Sequence, residues 1–222
     1  MPPILRFARV SVIAQGKTIL SDVSFALPPG EKAALSGKSG SGKTSVLKTL
    51  MGLYPLAQGT VYFQEKPLTS ASVRAVRSCT AYIGQEPVLG AESVREALLL
   101  PFQFKAHRGH TPTPAQLKEV LERLRLPLDI LGRSSNRISG GEKQRIALAR
   151  GLLLGKSLYL LDEVTSALDD ESKRAVFDVF SDSSLTVLAV AHDSEWLERC
   201  DILFELDAGR LTEVRHHGNT GY

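Results

Sequence analysis

Gly37-Lys38-Ser39-Gly40-Ser41-Gly42-Lys43-Thr44 is rich in glycine and ends in a lysine and a threonine. It fits the pattern G-x-x-x-x-G-K-[ST] of a phosphate-binding loop, or P-loop. It follows an apolar strand-like segment at 33–35 and opens a segment at 44–51 that reads as a helix, which is the context the pattern requires. The glycines let the backbone curl so that successive N–H groups point at phosphate oxygens, and the helix N-terminus adds partial positive charge. Lys43 brings a full charge to β- and γ-phosphates, and the Thr44 hydroxyl is suited to ligate Mg²⁺.

Working outward, Leu158-Tyr159-Leu160-Leu161-Asp162-Glu163 reads as an apolar strand ending in two carboxylates. Such a strand is expected beside the P-loop strand, with its C-terminal end at the phosphates. Asp162 is then a candidate Mg²⁺ residue, acting through water. Glu163 is a candidate base for the water that attacks a γ-phosphate in line. Taken alone, two acids at a strand end are an ordinary solvated pair.

The apolar runs at 157–161 and 185–191 suit strands buried on both faces, as in a parallel sheet covered by helices. Segments at 4–12, 19–27 and 32–35 also read as strands, separated by Gly16, Pro28, Pro29 and Gly30. From about residue 87 to 154 the pattern turns helical, with Pro101, Pro112, Pro114 and Pro127 marking boundaries. Residues 202–214 read as a hairpin turning at 207–210. The expected organisation is one domain over 1–222: an α/β core from 1–86 and 155–222, interrupted by a helical lobe at 87–154.

Composition agrees with a globular chain: 222 residues, 43% hydrophobic and 23% charged. A net charge of +3 does not point to a nucleic-acid partner. No apolar run approaches the roughly 20 residues that span a bilayer. Cys79 and Cys200 form no metal or redox motif, and a reducing, cytosolic setting is expected. His107, His110, His216 and His217 read as solvated, the adjacent last two being a weak metal candidate.

The P-loop alone leaves kinases, GTPases, helicases and transport ATPases open. Ile138-Ser139-Gly140-Gly141-Glu142-Lys143-Gln144-Arg145 narrows the choice. By itself it is a capped helix start. Together with the P-loop and the acidic pair it resembles the ABC ATPase family, whose signature reads LSGGQ before a basic helix; Ile138 and Glu142 depart from that spelling. The resemblance runs along almost the whole chain. It implies a P-loop NTPase core with a mainly parallel sheet, an N-terminal antiparallel β-subdomain and an inserted α-helical subdomain. It also implies ATP and Mg²⁺ as cofactors. Gln85 matches the Q-loop glutamine, a Mg²⁺ ligand and relay to a membrane partner. Ser166-Ala167-Leu168-Asp169 matches the D-loop, and His192 the switch histidine at the γ-phosphate. The nucleotide-binding set is then Gly37 to Thr44 with Ser139, Gly140, Gly141 and Asp169. The catalytic set is Glu163, His192, Lys43 and Gln85, and the metal set is Thr44, Gln85 and Asp162.

In that family the signature of one copy faces the P-loop of another, which implies an ATP-sandwich dimer. The absence of a second cassette or a long coiled-coil insertion disfavours a soluble ABC ATPase acting on DNA or ribosomes. A small-molecule kinase would leave residues 139–145 unexplained. A separate integral membrane permease is the expected partner, holding the chain at the cytoplasmic face of the membrane and docking near 87–104. The stretches Leu98-Leu99-Leu100-Pro101-Phe102-Gln103-Phe104 and Leu126-Pro127-Leu128-Asp129-Ile130-Leu131 are similar to the ATP-binding subunit of a two-gene bacterial iron exporter. Amino-acid, phosphate and lipoprotein systems remain alternatives. Many family members stack an aromatic residue on adenine from the loop before the second strand. Here that loop, Val12-Ile13-Ala14-Gln15-Gly16-Lys17, has none, which predicts weak discrimination between ATP and GTP.

Overall fold

The computed structural model describes residues 2–107 and 109–217. In chain order it forms β1 (Leu5–Ala14), β2 (Lys17–Leu27), β3 (Lys32–Ser36), α1 (Lys43–Leu50), β4 (Gln58–Phe63), β5 (Lys66–Pro67), α2 (Val73–Cys79) and β6 (Thr80–Ile83). There follow α3 (Val94–Leu99), α4 (Pro114–Arg123), α5 (Gly140–Leu153), β7 (Leu158–Asp162), α6 (Asp170–Phe180), β8 (Thr186–Val190), α7 (Ser194–Arg199), β9 (Ile202–Asp207) and β10 (Arg210–His216). The chain divides into two compact units. The first comprises Met1–Thr80, Ser157–Glu163 and Ser183–Tyr222, and the second Ala81–Lys156 and Val164–Asp182. The helical lobe expected at 87–154 thus falls within the second unit, which also takes in α6.

The first unit contains an antiparallel sheet in the order β2-β1-β4-β5. It also contains the run β10-β9-β3-β8-β7, in which β9, β3, β8 and β7 are parallel and β10 turns back antiparallel on β9. Every residue of β7 and β8 is buried, which is why their sequences are near-continuous apolar runs rather than alternating ones. In β1, by contrast, Leu5, Phe7, Val10 and Val12 are buried while exposed or half-buried residues fall between them. One core joins the two sheets: Phe25 stacks on Phe7 at 4.7 Å and meets Phe204 of β9 at 4.6 Å between ring centres. Fully burying a side chain such as Leu35 or Leu188 contributes about 1.5–3 kcal/mol, so this core is what fixes β3 and its neighbours.

Three local expectations change. The strand ending in Asp162 does not lie beside the P-loop strand, because β8 is inserted between β3 and β7. Residues 12–17 are not a loop: Ala14 closes β1 opposite Lys17, leaving a two-residue turn with positive φ at Gln15 and Gly16, as tight hairpins require. Helix α2 is not legible in the sequence because 7 residues with a single buried side chain, Val76, give little helical periodicity.

The second unit is mainly helical. Each longer helix begins at a capped residue: Ser93 for α3, Thr113 for α4, Ser139 for α5 and Asp169 for α6. The first three are full capping boxes, in which the third helical residue reaches back to the cap. No helix among the described residues is long and apolar enough to cross a membrane.

Candidate nucleotide site

Register explains why distant residues gather in the first unit. Val190 near the end of β8 lies opposite Leu35 of β3 on one side and Asp162 of β7 on the other. The C-terminal ends of three parallel strands are therefore level, and the chain leaving each carries a functional group. The P-loop follows β3, Asp162 closes β7 with Glu163 next after it, and His192 follows β8. The Glu163 N–H donates to Val190 O at 3.0 Å and the Ala191 N–H to Leu35 O at 3.3 Å, extending the ladder past the strand ends.

Within this cluster Thr44 Oγ1 donates to Asp162 Oδ1 at 2.8 Å. His192 Nε2 lies 3.4 Å from Glu163 Oε1, with the histidine half exposed and the glutamate a quarter exposed. Glu163 has φ of 51°, a left-handed conformation that non-glycine residues adopt at a cost and that concentrates at functional sites. Lys43 is buried and donates to Gly37 O at 2.8 Å and to Lys38 O at 2.9 Å. Burial pushes its ammonium below the ordinary lysine value, while Glu163 and Asp162 act in the opposite direction. A hydroxyl hydrogen-bonded to a carboxylate at the mouth of a P-loop is a hard oxygen donor set, the kind Mg²⁺ takes; Thr44 and Asp162 fit that ion. Beside it stands a buried ammonium within a curl of backbone.

The remaining predicted residues lie in the second unit. Ser139 is the N-cap of α5. Its N–H and Oγ donate to Glu142 Oε2 at 2.9 and 2.8 Å, and its Oγ accepts from the Glu142 N–H at 3.3 Å. Those bonds hold the Glu142 carboxyl below its ordinary value. Arg133 sits 3.4 Å from Glu142 Oε1 and bonds Asp129 at 2.9 Å. Gly140 and Gly141 form the first turn of α5. Asp169 caps α6, taking the Ser172 N–H at 2.9 Å and the Ser172 hydroxyl at 2.8 Å. Gln85 lies just past β6.

Sequence reading missed two residues that hold the Gln85 segment. Gln144 Nε2 donates to Gly84 O at 3.2 Å, and Arg150 donates to Leu89 O at 3.0 Å and Val88 O at 3.1 Å. Helix α5 therefore grips the chain on both sides of Gln85. Burial pushes the Arg150 guanidinium below its ordinary value. The available signal was polar residues at 144 and 150 amid apolar ones at 146–149. Among the described residues no cluster of three or more histidine, cysteine, aspartate or glutamate side chains suits a metal, and His216-His217 belongs to none.

The model of the family described as ABC transporter matches residues 20–166. A probable iron export ATP-binding protein, FetA of Escherichia coli strain K12, is 34% identical over 220 residues, covering 96% of both chains. An ATP-dependent lipid A-core flippase of Alkalilimnicola ehrlichii is 33% identical over 90% of this chain but only 35% of its own length. Among solved structures, an ATP-binding subunit of an ABC transporter superposes with a TM-score of 0.83 at 25% identity, covering 96% of this chain and 90% of that one. The ADP- and phosphate-bound dimer of the ATP-binding cassette MJ0796 shares the fold, with a TM-score of 0.84 at 23% identity over 97% and 99% of the two chains. With its P-loop, strand-end carboxylates and capped signature helix, the chain belongs to the ABC transporter family and is one of its ATP-hydrolysing cassettes.

Proposed function

We propose that this cassette is the ATP-hydrolysing subunit of an exporter for iron or a similar metal, working as a pair of copies on the cytoplasmic face of a membrane permease. The observation that carries the reading is the match to FetA over nearly the full length of both chains. It includes the helical unit, where a partner would be recognised.

The chemistry follows from the first unit. The Lys43 ammonium exchanges its carbonyl partners for β- and γ-phosphate oxygens, trading neutral acceptors for charged ones. Thr44 and Asp162 would hold Mg²⁺, whose chemistry is to neutralise charge on the phosphate oxygens. Gln85 is a further candidate ligand. Glu163 takes the proton of the attacking water, and His192 steadies that carboxylate and reaches the γ-phosphate. Ser139, Gly140 and Gly141, with Asp169, serve the ATP held by the partner copy, so each site is shared between chains.

The test is transport by the cassette with its permease in inside-out membrane vesicles. ATP-dependent movement of Fe²⁺, abolished by Glu163→Gln, is expected. ATPase activity that responds to a lipid substrate but not to Fe²⁺ would overturn the metal reading and favour lipid export, in line with the flippase relatives.

A further inference from the structure

The last hairpin of the first unit makes backbone contact with the P-loop. At the β9–β10 turn, Gly209 donates its N–H to Ser41 O at 3.0 Å and accepts the Ser21 N–H at 2.8 Å. One peptide segment thereby ties the phosphate loop to β2 of the antiparallel sheet. Packing is too close for side chains at two points. A Cβ on Gly37 would run into Leu206 O of β9, and one on Gly209 would run into Ile19 O of β2. Gly209 also holds φ of 80°, after Ala208 at 45°, a turn that favours glycine.

This contact has a directional consequence. In a trans peptide the C=O and the following N–H point opposite ways. Anchoring Ser41 O on the Gly209 N–H therefore turns the Gly42 N–H away from the hairpin. Outward-turned N–H groups are what a P-loop offers to phosphate. The Ser41 Oγ is buried and makes no hydrogen bond among the described residues, so the loop is held at this point through its backbone.

We infer that Gly209 is a positioning residue of the nucleotide site: its peptide orients the phosphate-binding Gly42 N–H and locks the P-loop to β2. The inference rests on the reading of residues 37–44 as the phosphate loop. The occupant is the phosphate chain of a nucleoside di- or triphosphate, which Gly209 never touches.

Amide hydrogen exchange in the native chain with and without MgADP tests this without a mutation. Ser21 and Gly209 exchange should slow on binding, at least tenfold more than the Leu68 amide. Leu68 bonds Val61 O in the same unit, beside the two-residue strand β5 at the edge of the antiparallel sheet, and so reports local openings that do not involve the phosphate loop. Equal slowing at all three, or none at Ser21 and Gly209, overturns the inference. Gly209→Ala adds a functional readout: the MgATP KM should rise about tenfold with kcat within about threefold, the pattern of lost ground-state binding. A folded Gly209→Ala chain with native KM also overturns it. If that variant does not fold, the exchange result on the native chain decides. A native chain that fails to bind MgADP in a fluorescent-nucleotide titration would instead sink the phosphate-loop reading itself.

Discussion

The two units keep their functional groups in different states. In the first, the groups bond to one another: Thr44 to Asp162, His192 beside Glu163, Lys43 to its own loop. In the second, the candidate groups are used locally. The Ser139 hydroxyl and the Asp169 carboxylate cap the helices they start. The first arrangement is a mutually bonded cluster of hydroxyl, carboxylate, imidazole and ammonium groups. The second is a set of helix starts whose polar groups are already committed: the Ser139 hydroxyl can donate to a new anionic partner only by giving up its bond to Glu142. This difference is what the proposed division of the site between two copies predicts for a single chain.

The largest expected effect sharpens the first half of the comparison. Glu163→Gln should lower kcat by about 10²–10⁴-fold, the usual worth of a general base, while MgATP affinity stays near native. Phosphate release and nucleotide titration measure the two separately. Near-native turnover would remove Glu163 from the chemistry and leave its left-handed backbone without a catalytic explanation.

Lys43→Ala and Ser139→Arg should each abolish hydrolysis alone. Mixed one to one, they should recover about a quarter of native activity, because half the dimers are mixed and each of those has one intact site of two. No recovery, with mixed dimers demonstrated by cross-linking, would mean that each chain holds a self-sufficient site and that the second unit's helix ends serve only its own fold.

The two units were not equally legible in the sequence. The P-loop and its flanking elements could be read because fixed spacing carries their chemistry, and the buried β7 and β8 because their apolar runs are unmistakable. The insertion of β8 between β3 and β7 could not be read, since no local pattern records strand order. Nor could the grip of Gln144 and Arg150 on the Gln85 segment, or that of Gly209 on Ser41. These are contacts to backbone carbonyls, and a carbonyl has no residue type. The capping box of Ser139 and Glu142 is legible as S-x-x-E, the pattern of a capped helix start.

A smaller effect concerns the base. The groups proposed to hold the phosphates form a closed cluster in the first unit, yet the end of β1 beside the β1–β2 turn carries no aromatic residue, only Ile13, half exposed, and Ala14. Ala14→Tyr should tighten ATP binding about tenfold or more, since base–aromatic stacking contributes about 1–3 kcal/mol. The native chain should bind ATP and GTP with similar dissociation constants. Strong native preference for ATP, with no gain in the variant, would show that another residue already holds the adenine.

The smallest effect concerns the second unit and its stability. Removing the cap with Ser139→Ala should cost about 1 kcal/mol in urea unfolding, with no change in the first unit's affinity for MgADP. Glu142 makes that cap pH-dependent. Its hydrogen bonds from Ser139, then the nearby Arg133 and Arg145, hold its carboxyl below the ordinary value of 4.5 in the folded chain. A carboxyl depressed on folding contributes stability above its unfolded value, and that contribution is lost as pH falls from there through the folded value. About a fifth of the Glu142 side chain is exposed, at 21%, so solvent screens part of the interaction and keeps the contribution to about a few tenths of a kcal/mol. Unfolding midpoints between about pH 6 and pH 3 should therefore fall slightly less steeply for Glu142→Gln than for the native chain. The glutamine keeps a hydrogen-bonding oxygen for the Ser139 N–H but carries no charge. Parallel curves would mean that the carboxylate's charge adds nothing to the cap, leaving the Ser139 hydroxyl as free to meet a phosphate in this chain as it would be with glutamine at 142.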